Sequence, residues 1–178
     1  MQGGLERIET RLTQNEFSDE LIEIMAHAAH EAFYEGLTAQ GFHFGPENDS
    51  DLKTHPALVD YDKLPEELKE ASRANVRDIP RKLRELGYRV EVGGAQAGLS
   101  KLSETDLDRL GKIEHQRWMK HRLEGGWSVG PKTDIVRKIH ASLVEWNELS
   151  EVEREKDREM VRSIPKILAE AGLLIVAE

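Results

Sequence analysis

From Ser18 onward the apolar positions recur with a helical period, and the pattern is written twice. Leu21, Ile24, Met25, Ala28 and Ala32 predict an amphipathic helix that Ser18 caps and Gly41 stops. A second such helix opens after Ser103, where Asp106 suggests a capping box, and runs to Gly125-Gly126. After each comes a polar loop of about 20 residues carrying Gly-Pro and a His-x-x-Leu-Val strip, read on the turn chemistry of Gly and Pro. A further helix then opens at Pro65, and its counterpart after Ser150, with Ser150 and Glu153 as a capping box. Pro80 and Pro165 break these helices, each at N1 of a last short helix ended by Gly87 or Gly172. Tyr88–Val92 and Leu173–Val176 read as short strands. Before all this, Leu5, Ile8 and Leu12 permit one short amphipathic helix.

Displacing the chain against itself by 85 residues explains why the pattern recurs. His30 falls on His115, Gly41 on Gly126, Gly45-Pro46 on Gly130-Pro131, Lys53 on Lys138 and His55 on His140. Leu58-Val59, Arg73, Arg77, Ile79, Pro80 and Leu83 meet Leu143-Val144, Arg158, Arg162, Ile164, Pro165 and Leu168. Over residues 30–90, 20 of 61 positions are identical without a gap, far beyond chance. Aromatics match in kind: Phe33 with Trp118, Phe42 with Trp127, Tyr61 with Trp146. The expected fold is therefore mainly α, a tandem duplication of a helix–loop–helix unit with a few short strands. Its parts are an N-terminal segment 1–17, a first repeat 18–92, a linker 93–102 with three glycines, and a second repeat 103–178.

Composition narrows the function. The 178 residues carry 25 Lys+Arg against 34 Asp+Glu, a formal charge of −9, which argues against a general nucleic-acid binder. The longest apolar run, Ala171–Ala177, is far short of a bilayer span, so no membrane insertion is expected. There is no cysteine and no basic-then-apolar leader, which suits a reducing cytoplasm. Gly-x-Gly-x-x-Gly, the P-loop, His-Glu-x-x-His and Gly-x-Ser-x-Gly are all missing, so neither catalysis nor a cofactor is expected. A metal set of His27, His30, His43 and His55 is weighed and set aside, since His27 and His43 have no histidine counterparts in the second repeat.

The second repeat carries Trp118, Gly126-Trp127-Ser128-Val129-Gly130-Pro131, Arg137-Lys138-Ile139-His140 and Leu143-Val144-Glu145-Trp146. The first carries Phe33, Gly41-Phe42-His43-Phe44-Gly45-Pro46, Lys53-Thr54-His55-Pro56-Ala57-Leu58-Val59 and Asp60-Tyr61. This compound pattern resembles the ryanodine-receptor repeat, or RyR domain, over nearly all of 20–92 and 105–177. The resemblance implies a helical repeat pair with short strands. It also implies a non-catalytic role, as in the cytosolic regulatory modules of animal calcium channels and in bacterial and phage proteins suggested to sense nucleotide-derived signals. The first repeat departs from the pattern, with Phe twice where Trp is wanted and no Arg before Lys53, so the two repeats are not expected to share one ligand role.

Charge separates the repeats in the same way. Residues 109–138 hold eight basic and three acidic side chains, whereas the matching 24–53 hold one and five. A basic loop with Trp118 and Trp127 suits stacking a ring and neutralising a phosphate. The competing reading is core, which is favoured for Trp118 because its counterpart Phe33 is also large and apolar on the helix, while Trp127 in the Gly-rich loop is balanced between the two. The proposed ligand set is Trp118, Trp127, Gly130, Pro131, Arg137, Lys138, His140 and Arg162. In it Trp127 stacks the ring, Arg137 and Lys138 meet the negative charge, and His140 and Arg162 complete the pocket. For Arg158 and Arg162, as for Arg73 and Arg77, ion pairing with Glu155 or Glu70 is the competing reading. The function expected is a cytosolic sensor or regulatory module for a small anionic, nucleotide-derived ligand, working with a larger effector or channel protein. The alternative is a protein–protein scaffold.

Overall fold

The computed structural model describes residues 17–49, 51–93 and 101–178. The helix expected around Leu5, Ile8 and Leu12, and most of the linker, lie outside them. Six α-helices occur among the described residues: α1 Asp19–Ala39, α2 Glu66–Arg77, α3 Ile79–Arg84, α4 Glu104–Glu124, α5 Glu151–Arg162 and α6 Ile164–Glu170. The strands are β1 His43–Phe44, β2 Thr54–His55, β3 Tyr88–Val92, β4 Ser128–Val129, β5 Ile139–His140 and β6 Leu173–Ala177. The fold is mainly α, and every element of one repeat has its counterpart in the other.

Local chemistry sets the boundaries. Ser18 Oγ accepts from the Leu21 amide and Ser103 Oγ from the Asp106 amide, so both long helices begin on the expected caps. They end beside Gly41 and Gly126, whose φ of 86° and 83° reverse the chain. Pro80 and Pro165 stand one place later than N1, behind Ile79 and Ile164, because the whole first turn lacks intrahelical N–H partners and tolerates proline. The Ser150–Glu153 box is half made. Ser150 accepts from the Glu153 amide, but the Glu153 carboxylate turns instead to Lys156 and Ser142.

The chain forms two compact units, one from the described residues up to 93 with Ser163–Glu178, the other from Lys101–Arg162. In the first, α1 packs against α2 and α6, and β3 pairs antiparallel with β6 from Tyr88↔Ala177 to Val92↔Leu173. That pairing satisfies a strand that alone would leave its amides and carbonyls open. Met25, Ala26, Val76, Ile79, Leu83, Leu168 and Ile175 make its core, with the fully buried Lys82 donating to Asn75. In the second unit α4 packs on α5 over Leu107, Leu110, Leu143, Trp146, Leu149 and Val161. Leu58 and Leu143 are buried in equivalent places, while Val59 and Val144 are half-buried in both.

Candidate functional site

The loop between the first two helices of each repeat is held by the residues that repeat. A two-residue parallel ladder, β1–β2 or β4–β5, crosses it. Gly45 and Gly130 are required there: a Cβ on Gly45 would stand 2.5 Å from Thr54 Cβ, and one on Gly130 2.4 Å from Ile139 Cγ2. Lys53 and Lys138 share a φ of 53°, and each Nζ donates, at 2.9 Å, to the carbonyl of the last helix residue's neighbour, Gln40 or Gly125. That caps the negative end of the helix. His30 and His115 each donate from Nε2, at 2.7 Å, to the carbonyl of Val59 or Val144.

On this frame the second repeat gathers an aromatic cluster. Trp118 stacks on His115 with centroids 5.6 Å apart and meets the edge of His140 at 4.8 Å. Trp127 lies 6.3 Å from His140, and the Arg122 guanidinium stands 4.6 Å from the Trp127 ring and 5.8 Å from Trp118. Both tryptophans are half-buried, so neither is closed into the core. His140 Nδ1 accepts from the Ser142 amide, which leaves its proton on Nε2. Burial, and then the cations Arg122 and Lys156, hold His140 below the usual imidazole range, against the pull of Glu153. Glu153 lies below the ordinary carboxyl range despite its burial, because Lys156 and Ser142 donate to it.

His115 runs the other way. Burial opposes its charge, but Asp157 at 3.3 Å and the Val144 carbonyl both accept from it and raise its affinity for a proton. In the first repeat Ser72 stands at the Asp157 position.

Of the residues singled out in the sequence, Trp118, Trp127 and His140 come together. Lys138 adjoins them but is committed to Gly125, and Arg137 sits on the exposed turn 3.7 Å from Asp134. Gly130 serves the ladder, and Pro131 is exposed beside it. Arg162 does not reach the cluster. It pairs with Glu155 and Glu159, roughly 14 Å along α5 from Glu153 at the ordinary helical rise. Arg73 and Arg158 are ion-pair hubs as well: Arg73 with Glu23, Glu66 and Glu70, Arg158 with Asp108, Glu151 and Glu155.

Sequence reading missed Arg122, Ser142, Glu153 and Lys156. The signal for Arg122 was its i+4 spacing from Trp118. All four map onto apolar residues in the first repeat: Leu37, Ala57, Leu68 and Ala71. There Phe33 meets His55 edge-on at 5.2 Å with no cation at the Arg122 position. No helix among the described residues is long and apolar enough to cross a membrane. The family model described as RyR domain matches the chain twice, over residues 8–92 and 95–177. With the duplicated frame and the matched residues together, the chain belongs to the RyR domain family and carries two tandem copies.

Proposed function

We propose that this protein is a non-catalytic cytosolic regulatory module whose second repeat binds a small anionic, nucleotide-derived ligand. The observation that carries the reading is Arg122 stacked against two half-buried tryptophans. A planar ring entering beside Trp127 would exchange the guanidinium's cation–π contact for its own stacking, and free Arg122 to meet a phosphate. His140, neutral and donor-bearing at Nε2, offers a hydrogen bond to the ring edge, with Ser142, Glu153 and Lys156 behind it. The first repeat keeps the frame and His55 but has aliphatic residues in place of Arg122, Ser142, Glu153 and Lys156, so the binding role is assigned to the second repeat alone.

Titration of a nucleotide panel, read by tryptophan fluorescence and calorimetry, tests this. Saturable quenching by at least one nucleotide is expected, weakened by salt and abolished in Trp127→Ala, with Phe42→Ala unaffected. A panel without any saturable response, or equal losses in the two variants, rejects the assignment.

A further inference from the structure

Both loop turns expose an apolar strand residue, Phe44 or Val129, and the first also exposes Leu52, but only the turn between β4 and β5 puts two β-branched aliphatics at its tip. Ile135 and Val136 are 69% and 95% exposed at its tip, with Val129 57% exposed on the adjoining strand. β-Branched aliphatics are poor turn formers and gain nothing from water. The first repeat has Ser50 and Asp51 at these places. The backbone does not ask for the aliphatics either, because the Asp134 carboxylate closes the turn through the Arg137 amide as Asp49 does through Asp51 and Leu52. Lys132 and Arg137 flank the apolar tip, both exposed.

A receptor of opposite character lies in the first compact unit. A shallow, open depression of about 500 Å³ runs along α1 at the end of α6, lined by Glu23, Ile24, His27, Ala28, Glu31 and Glu170. Ile24, 41% exposed, and Ala28 contribute its apolar surface, and the carboxylates of Glu23, Glu31 and Glu170 border it. Glu31 and Glu170 have no ion-pair partner among the described residues. A tip that is apolar at its apex and cationic at its flanks thus has a surface of complementary charge and apolar character on the same chain type.

We propose that the 135–137 tip of one molecule docks onto the α1–α6 depression of a second copy. The contact is heterologous, so it propagates head to tail, and its small area makes it weak and reversible. Complementary charge gives it a steep salt dependence.

Sedimentation velocity of the full chain over a wide concentration range tests this at low and high salt. Wild type is expected to associate at low salt and to dissociate at high salt. Reversing the tip (Lys132→Glu with Arg137→Glu) or the depression (Glu31→Lys with Glu170→Lys) should each weaken self-association at least roughly tenfold. Mixing the two reversed chains should restore it, because each then meets an opposite charge. Val136→Ser, at a site with no packing to lose, should weaken association without reversing any charge. Helical content is followed in every variant. A wild type that stays monomeric throughout overturns the proposal, as does an unchanged depression variant or a failure of the mixed variants to associate. A tip that binds anionic vesicles while the chain remains monomeric overturns it too, and assigns the tip to a membrane surface.

Discussion

His115 and His140 both touch Trp118, and their surroundings push their protonation in opposite directions. The folded chain holds the His115 proton more tightly than the unfolded chain does. The stability His115 contributes is therefore complete below its ordinary value of 6.5 and is lost as pH rises through its raised folded value. His140 is depressed, so below 6.5 the unfolded chain takes the proton first and stability falls on acidification. Urea unfolding across this range should show the two signs separately. Wild-type stability minus that of His115→Gln should fall as pH rises, and the same difference for His140→Gln should rise; matching slopes would contradict the geometry. Arg122→Leu installs the first repeat's residue and should cost about 1.5–3 kcal/mol of nucleotide affinity, the range for a hydrogen bond to a charged group, measured by calorimetry. The aromatic members of the cluster were legible because Trp and His carry their chemistry in their identity. Lys138 was not. Its basic character suggested a ligand contact, and only the folded loop shows its Nζ reaching back 13 residues to Gly125.

At the scale of elements, sequence and structure agree where one physical rule acts alone. Ser18, Ser103, Gly41 and Gly126 bound the long helices as capping chemistry requires. The two-residue ladders were not legible, because strands so short have no period to read, and their clue lay in the paired glycines. Gly130→Ala should therefore disrupt β4–β5 as well as lower stability, by about 1–3 kcal/mol for an overpacked contact. Loss of amide exchange protection at Ser128 and Ile139 would register it, and intact protection would contradict the close approach. Leu143 was legible as core through its repetition with Leu58, and both are buried. Leu143→Ala should cost about 2–5 kcal/mol in denaturant unfolding, as large-to-small core changes do.

Over the whole molecule, sequence periodicity and compact packing divide the chain in different places. The sequence repeats at 85 residues, yet α6 and β6, from the second repeat, pack with α1 and β3 from the first. Periodicity reports which segments share ancestry and is silent about which of them touch. A chain ending at residue 93 loses the apolar cover of Ile164, Ile167, Leu168, Leu173 and Ile175. At low concentration it should melt well below the full protein by circular dichroism, and a peptide of residues 163–178 should restore much of the difference. Unaltered melting would mean that α6 and β6 add nothing to the first unit.

The register of β3 on β6 carries one more consequence. Val90 faces Ile175, and these two residues are equivalents under the 85-residue displacement; outward from them, Tyr88 faces Ala177 and Val92 faces Leu173. The ladder is thus a near-palindrome, the same strand read against itself about a local dyad. A protein holding a single repeat with this strand could reproduce the ladder by pairing with its own twin in an isologous contact. Gene fusion would then convert an association between two chains into a fold within one, and make it independent of concentration.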